Sequence, residues 1–268
     1  MERLTKMQIA EVCRRYQAGE SSPALAKEFG ISVPAICGLL DRRGIERREQ
    51  SFAQRRYVCD HTFFSSIDTE AQAYWLGFVA ADGYVSGSNK DSKDALVVHL
   101  QWQDRDHLYR LRDALQSTHP VKEYHYSYGD IAKLFIRSEQ LTQDLAQYGI
   151  VPAKTFTVPW PDFSDALLIH FLRGYVDGDG GFHIHELKNH YTFELTSNRG
   201  FVEPCQQFLM RMCHVSQTKL FQRHSSPIFT LRYNGRLGIA RIAELLYTNA
   251  TIFMPRKRDA AMLISKNR

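Results

Sequence analysis

Two aspartates in this chain, Asp82 and Asp179, each end an apolar run and are each followed by glycine. The first run, residues 74–83, reads YWLGFVAADG, and the second, residues 171–180, reads FLRGYVDGDG. A carboxylate at a helix C-terminus lies at the negative end of the helix dipole, so two such acids at one place call for a divalent cation. Cations held in this way are suited to the hydrolysis of phosphodiester bonds.

Each run also contains two small residues four positions apart, a spacing that places them on one face of a helix. They are Gly77 and Ala81 in the first run and Gly174 and Gly178 in the second. Such a face allows two helix backbones to approach closely. If the two helices pack side by side, their final aspartates emerge together at one end. The spacing therefore predicts a site that is built by a pair of helices.

The two runs resemble the paired LAGLIDADG motifs of single-chain LAGLIDADG homing endonucleases. The second run keeps the pattern as LRGYVDGDG, whereas the first has Ala80 where the family often has an acid. Arg173 is unusually large for a position at which the family tolerates small residues. We expect Asp177, whose counterpart is Ala80, to pack or hydrogen-bond near the helix end rather than to catalyse. The resemblance covers residues 67–260.

The resemblance implies an α+β fold with pseudo-twofold tandem αββαββα repeats that form a DNA-binding saddle. It also implies a monomeric, sequence-specific endonuclease that cuts double-stranded DNA, with one acid serving each strand. The implied cofactor is Mg²⁺, for which Mn²⁺ or Ca²⁺ could substitute in binding. The implied catalytic and metal-binding residues are the two aspartates, the residue before each of them and the lysine of each Pro-x-Lys segment: Asp82, Asp179, Ala81, Gly178, Lys154 and Lys257.

Two further polar residues are candidates for holding metal-bound waters. Gln103 and Asn198 are expected at equivalent places at the ends of their strands.

Lys154 and Lys257 also have an explanation that involves no catalysis, because an isolated lysine usually lies on the surface.

An internal repeat of about a hundred residues indicates duplication and pseudo-twofold symmetry. In both copies the motif precedes two hairpin strands, a helix, two more strands, another helix and the segment Pro-x-Lys. Asp68 or Thr69 is the expected N-cap of the first motif helix, and Asn198 the expected N-cap of a later helix. The other predicted elements are strands or hairpins at 84–103, 121–128, 131–137, 181–185, 191–196, 218–223 and 228–233, and helices at 104–117, 139–148, 198–213 and 237–247.

The open face of each predicted sheet could read base edges in the major groove with long polar and aromatic side chains. For any one of these residues, ordinary solvation at the surface explains the side chain equally well. The candidates on hairpin tips and outward strand positions are Asn89, Lys90, Lys93, Tyr124, Tyr126, Arg137, Lys188, Asn189, Arg223 and Arg232.

The first sixty residues predict a small all-α domain with a helix-turn-helix arrangement. Helices are expected at 4–18, at 22–29 with Ser22 as N-cap, and at 33–43 with Ser32 as N-cap. The sequence ALAKEFGISVPAICGLLDRRG is similar to the DNA-binding domains of site-specific recombinases and small repressors. A three-helix bundle that binds protein is the alternative. Six arginines follow the third helix and could clamp phosphates: Arg42, Arg43, Arg47, Arg48, Arg55 and Arg56. The first four are the candidates for DNA binding.

The composition of the chain limits the classes of protein to which it can belong. Of its 268 residues, 44% are hydrophobic and 24% charged, values typical of a globular protein. The formal charge of +5 favours a polyanionic partner. The five scattered cysteines predict reduced thiols. With no membrane-length apolar run and no signal peptide, we expect a soluble, intracellular protein of a bacterium, phage host or organelle. The predicted domains are residues 1–60, 61–162 and 163–268.

Two other classes of function remain open. One is a catalytically inactive transcription regulator that combines a degenerate LAGLIDADG domain with a helix-turn-helix. The retained aspartates and both Pro-x-Lys segments disfavour it. The other is an RNA maturase that assists intron splicing. An intein is disfavoured, because splice-junction chemistry is lacking at both ends.

Overall fold

The computed structural model describes residues 4–46, 57–86, 94–127, 129–185, 190–222 and 226–266. The chain divides into two compact units, Met1–Tyr57 and Val58–Arg268. Within the described ranges, no single helix is long and apolar enough to cross a membrane. Two consecutive helices, Ser22–Glu28 and Val33–Arg42, are long and apolar enough only when they are taken together, and they are bent by 110° relative to each other.

Among its described residues, the first unit has three helices around a small apolar core. They are α1 (Lys6–Gln17), α2 (Ser22–Glu28) and α3 (Val33–Arg42). Thr5 and Gln8 form a capping box at the start of α1, and Ser32 caps α3 as the sequence predicts. The prediction for α2 is wrong by one residue, because its N-cap is Ser21 rather than Ser22. Residues from all three helices fill the core: Val12, Tyr16, Leu25, Ala26, Ile36, Leu39 and Leu40.

The second unit contains two copies of the same order of helices and strands. The first copy is α4 (Glu70–Asp82), β1 (Gly83–Ser86), β2 (Ala95–Gln101), α5 (Arg105–Ala114), β3 (Val121–Tyr124), β4 (Ile131–Arg137) and α6 (Glu139–Gln147). The second copy is α7 (Asp165–Asp179), β5 (Gly180–His185), β6 (His190–Asn198), α8 (Arg199–Cys213), β7 (Phe221–Gln222), β8 (Ile228–Asn234) and α9 (Arg236–Tyr247).

Each copy forms one four-stranded antiparallel sheet, with strand orders β1-β2-β4-β3 and β5-β6-β8-β7. The registers also match, because Gly83 pairs with Val98 in the first sheet and Gly180 pairs with Leu195 in the second. One face of each sheet packs on helices with alternate apolar side chains, as expected for antiparallel sheets with one buried face. The predicted α+β fold with two tandem repeats is therefore confirmed.

Three differences from the predicted elements concern the ends of the repeats. The strand predicted at 218–223 is only Phe221–Gln222 among the described residues. Lys154 lies in a single 3₁₀ turn, Lys154–Phe156, that the sequence pattern did not indicate. A further helix, α10 (Pro255–Lys266), also went unpredicted, although Pro255 is well placed for the first turn of a helix.

Helices α4 and α7 form the centre of the unit, and their apolar residues belong to its continuous core. Thr69 caps α4 through a capping box with Gln72, which selects between the two predicted caps. A Cβ atom on Gly77 would collide with the backbone carbonyl of Phe171 on α7. In the same way, a Cβ atom on Gly174 would collide with the carbonyl of Tyr74. The glycines thus let the two backbones touch, as their spacing predicts.

Candidate active site

The contact between α4 and α7 brings Asp82 and Asp179 to the same end of the helix pair. A Cβ atom on Gly178 would lie 3.3 Å from the carboxyl carbon of Asp82 and would collide with the Cβ of Ala81. The small residue before Asp179 therefore leaves room for the Asp82 side chain. Each helix ends at its aspartate, because the following glycine adopts an extended backbone and begins a strand. The two acids are close enough to interact electrostatically.

Burial makes both carboxylates reluctant to ionise, and the charge of Asp179 adds to this effect at Asp82. Burial, followed by the charge of Asp179, raises the pKa of Asp82 to about 6. The side chain of Asp179 reaches solvent on one side, but loss of hydration within the site still raises its pKa. A divalent cation between them would offset both effects, since it favours the charged form of each acid.

One lysine lies beside the end of each motif helix. The ammonium group of Lys154, which is 5% exposed, donates to the carbonyl oxygen of Ala81 at 3.1 Å. Lys257 is half-buried and donates to the carbonyl oxygens of Gly178 at 3.4 Å and of Gly180. Burial lowers the pKa of both lysines, although the neighbouring aspartates oppose this. The site therefore contains two acids and two amines, with the carbonyls of Ala81 and Gly178 in corresponding positions and the carbonyl of Gly180 as a further contact of Lys257.

Asp177 lies two residues before Asp179 in α7 and has a structural role, as predicted. It is fully buried and accepts hydrogen bonds from the hydroxyls of Tyr74 and Tyr247, each at 2.6 Å. It also accepts from the backbone amide of Met254 at 2.7 Å. Burial raises the pKa of Asp177, against the effect of these three donors. The hydroxyl of Tyr74 also lies 2.8 Å from Nε2 of His107.

Arg173 is buried as well, and its large side chain fills a defined role. Its guanidinium group forms an ion pair with Glu70 at 2.5 Å. It donates to the carbonyl oxygens of Ile252 at 2.8 Å and of Leu246 at 3.1 Å. A buried charge of this kind is tolerated because its donors are satisfied. Arg173, which stands where the family tolerates small residues, thus connects both motif helices to the segment that follows α9.

The two predicted water-holding residues do not occupy equivalent places. Counting from the matched pairs at Val98 and Leu195, the counterpart of Asn198 is Gln101, the last residue of β2. Gln103 lies two residues later, in a 3₁₀ turn, and donates to the side chain of Gln101 at 3.0 Å. The predicted equivalence is therefore wrong.

Asn198 uses both ends of its side-chain amide within the fold. Its Oδ1 accepts from the amide of Phe201 at 3.2 Å and caps α8, as the sequence predicts. Its Nδ2 donates to the carbonyl of Val158 at 2.7 Å. These bonds give Asn198 a structural role, and its proposed part in holding water has no support from this geometry.

The open face of the first sheet is basic. Tyr124 and Arg137, two of the predicted contact residues, lie on this face. Lys122 and Lys133 face each other directly across β3 and β4, and His99 is the next residue in the same row. The sequence analysis missed these three residues, although the alternation in β4 (IAKLFIR) places Lys133 on the same face as Arg137.

The corresponding row of the second sheet is neutral. It contains Phe221, Thr230 and Thr196. Arg232, a predicted contact residue, lies in the neighbouring row and forms an ion pair with Glu194 at 2.7 Å. The two open faces therefore differ in charge where the structure describes them.

Three of the remaining predicted contact residues lie within the described ranges. Tyr126 is exposed beyond β3 and stacks on Tyr124 with ring centroids 6.2 Å apart. In the first unit, Arg42 and Arg43 are exposed at the end of α3. Eight candidates fall outside the described residues: Arg47, Arg48, Asn89, Lys90, Lys93, Lys188, Asn189 and Arg223.

The donor set at the two aspartates suits a hard cation rather than zinc. Across the described part of the chain, no group of three or more His, Cys, Asp or Glu side chains is arranged to hold a metal. Mg²⁺ is commonly bound by only one or two carboxylates together with water and substrate phosphates. Asp82 and Asp179, with the carbonyls of Ala81 and Gly178 beside them, fit that mode of binding.

The arrangement of helices and strands defines the structural class of this protein. Two tandem four-stranded sheets behind a glycine-packed helix pair constitute a fold of the LAGLIDADG homing endonuclease type. The chain is similar to the LAGLIDADG homing endonuclease I-SmaMI bound to cleaved DNA, with a TM-score of 0.52 and 14% identity, over 73% of this chain and 90% of that chain. It is also similar to I-GzeII in complex with its DNA target, with a TM-score of 0.50 and 10% identity, over 75% and 92% of the two chains.

A third similar structure is a double mutant of I-SmaMI, in which two lysines are replaced by alanine. Its TM-score is 0.51 and its identity 13%, over 73% of this chain and 92% of that chain. No protein-family model matches the sequence, and no curated protein matches it. At these identities the similarity establishes the fold alone. The chemistry has to be inferred from the residues of the site.

Proposed function

We propose that this protein is a sequence-specific DNA endonuclease that hydrolyses both strands of a duplex with the help of a divalent cation. The observation that carries the proposal is the meeting of Asp82 and Asp179 at one end of the helix pair, each beside a buried or half-buried lysine. Two acids with raised pKa values and no cation would destabilise the fold. Their retention in both repeats is explained by a function that needs them.

The acids and the lysines of the site would have different roles in hydrolysis. Asp82 and Asp179, with the carbonyls of Ala81 and Gly178, would hold Mg²⁺, which supplies charge stabilisation and lowers the pKa of bound water. The ammonium groups of Lys154 and Lys257 would stabilise the negative charge that develops on the phosphate. We propose that one acid and one lysine serve each strand.

The basic open face of the first sheet supports DNA as the substrate. Lys122 and Lys133 are directly opposite each other, and like charges at that spacing destabilise a sheet. A bound phosphate backbone would turn this repulsion into attraction. Tyr124 and Arg137 on the same face provide groups that can contact base edges.

We propose that the first unit adds contacts to DNA outside the cleavage site. Helices α2 and α3 meet at 110°, an angle typical of helix-turn-helix motifs. The exposed arginines at the end of α3, Arg42 and Arg43, would contact phosphates. Removal of residues 1–57 should shorten the protected DNA in a footprint without abolishing cleavage.

The direct test is to incubate the protein with a randomised duplex library in Mg²⁺ and sequence the cut ends. We expect discrete, staggered double-strand cuts. Asp179→Asn should give nicks or no product, and Mg²⁺ replaced by Ca²⁺ should support binding without turnover. A parent protein that binds one sequence tightly and leaves it uncut in Mg²⁺ and Mn²⁺ would instead identify a transcription regulator built on the same fold.

A further inference from the structure

The segment that leads into Lys257 is anchored by two buried polar side chains of α7, Asp177 and Arg173, whose counterparts in α4 are apolar. Residues 248–254, here called the anchored segment, connect α9 to α10. Asp177 accepts a hydrogen bond from the amide of Met254, and the carbonyl of Met254 in turn accepts from the amide of Lys257 at 3.1 Å. A continuous chain of hydrogen bonds thus connects α7 to the backbone of the lysine.

The first motif helix holds the same segment from the other side. Oε1 of Glu70 accepts from the amides of Thr251 at 3.0 Å and of Ile252 at 3.4 Å. Arg173 completes the anchor, because it pairs with Glu70 and donates to the carbonyl of Ile252. Charged hydrogen bonds in a buried setting are stronger than neutral ones and rigidify the backbone to which they bind.

Contacts from the first repeat extend this anchor to the start of α10. Arg110 donates to the carbonyl of Phe253 at 3.2 Å. Arg256, the residue before Lys257, forms an ion pair with Asp104 at 2.8 Å, and the Asp104 side chain is only 9% exposed. The position of Lys257 therefore depends on both halves of the unit.

The corresponding lysine of the first half is held differently. The positions equivalent to Arg173 and Asp177 are Leu76 and Ala80, which have no polar side chain to offer. The backbone around Lys154 is closed by local bonds: its amide donates to Val151 at 3.1 Å, and its carbonyl accepts from Val158 at 2.9 Å. The side chain of Asn198, which is on β6 and not on a motif helix, holds the carbonyl of Val158.

We propose that Asp177 and Arg173 are positioning residues for Lys257 and thereby control cleavage of one DNA strand and not the other. The proposal rests on the proposed endonuclease function. Each lysine donates to the backbone at the end of its own repeat's motif helix, so displacement of the anchored segment moves Lys257 and not Lys154. A small misplacement of a catalytic group lowers the rate of its own step by about 10- to 100-fold.

The test uses the full chain and a duplex with the selected target sequence, labelled differently on its two strands. Lys257→Met first identifies the strand that Lys257 serves, and Lys154→Met should affect the opposite one. Asp177→Asn, which keeps the size of the side chain, should slow cleavage of the Lys257 strand by about 10-fold or more. The other strand should change less than about 2-fold, so nicked duplex accumulates.

Two further variants separate positioning from general damage. Asp177→Asn added to Lys257→Met should cause no additional loss, because both changes act through one group. Tyr247→Phe removes one donor to Asp177 and should give the same strand preference in a milder form, and it replaces Asp177→Asn if that variant does not fold. Equal slowing of both strands, or additive losses in the double variant, would overturn the proposal.

Amide hydrogen exchange provides a readout that does not depend on cleavage. In Asp177→Asn or Tyr247→Phe, exchange at Met254 and Lys257 should accelerate, whereas exchange across residues 148–158 should not change. Unchanged exchange at Lys257 would refute the anchoring itself. A parent protein that cuts no DNA, together with accelerated exchange in the variants, would refute the endonuclease function and not the anchor.

Discussion

The ammonium group of Lys154 lies 3.1 Å from the carbonyl oxygen of Ala81, the residue that immediately precedes Asp82. In the second half, Lys257 contacts the carbonyl of Gly178, the residue that precedes Asp179. The two lysines lie in different local structures, a 3₁₀ turn and the first turn of a helix, yet each contacts the carbonyl that precedes the aspartate. Lys257 also contacts the carbonyls of Val176 and Gly180. The symmetry of the site is therefore a symmetry of functional groups rather than of backbone.

The close contact of the motif helices makes a prediction about stability. Gly77→Ala or Gly174→Ala should lower the free energy of unfolding by about 1–3 kcal/mol, because each new methyl group would collide with backbone that cannot move independently. Denaturant titration of the purified variants measures this.

The matched control is Gly38→Ala in α3, where a Cβ atom would have its nearest contact at 3.7 Å, with the side chain of Arg42. This change should leave stability unaltered or raise it by up to about 1 kcal/mol, because alanine is the better helix former. Equal stabilities for all three variants would mean that the helices are not in backbone contact.

The raised pKa of Asp82 makes a prediction about pH. In the folded protein Asp82 holds its proton up to about pH 6, whereas an unfolded aspartate loses it near pH 4. The stability that this proton contributes is present below about pH 4 and is lost as the pH rises through about 6. The parent should therefore lose roughly 1–2 kcal/mol relative to Asp82→Asn over this interval, after allowance for solvent screening.

Denaturant titrations of both proteins at pH 4 and pH 7 measure that difference. Addition of Mg²⁺ at pH 7 should restore stability to the parent and not to Asp82→Asn, since a ligand that binds only the folded state stabilises it. A constant difference between the two proteins at both values of pH would show that Asp82 titrates normally.

The row of Lys122, Lys133 and His99 makes a prediction about salt. If this face contacts phosphates, Lys133→Ala should reduce the slope of log binding constant against log salt concentration by about 1. Fluorescence anisotropy with a labelled duplex over a series of KCl concentrations gives the slope.

Lys219→Ala is the matched control, because Lys219 lines a surface groove beside α8. It should leave the slope as in the parent. If both variants reduce the slope equally, the attraction to DNA reflects net charge and not the open face of the first sheet.

The sequence by itself determined the features that arise from local structure. The glycine spacing predicted the helix contact, and Ser32 and Asn198 were correctly identified as caps, because a cap depends on a few neighbouring residues. Alternation along the strands would also have identified Lys133. Terminal aspartates at the ends of two similar helices were sufficient to predict that the two acids meet at one end of the helix pair.

Only the tertiary structure determined the features that join distant residues. The register of β1 with β2 made Gln101 rather than Gln103 the counterpart of Asn198. Packing of α4, α7 and α9 turned Asp177 and Arg173 into an anchor for a segment some seventy to eighty residues away. Such pairings depend on how whole elements pack in three dimensions, and sequence periodicity carries no information about which buried polar groups will meet.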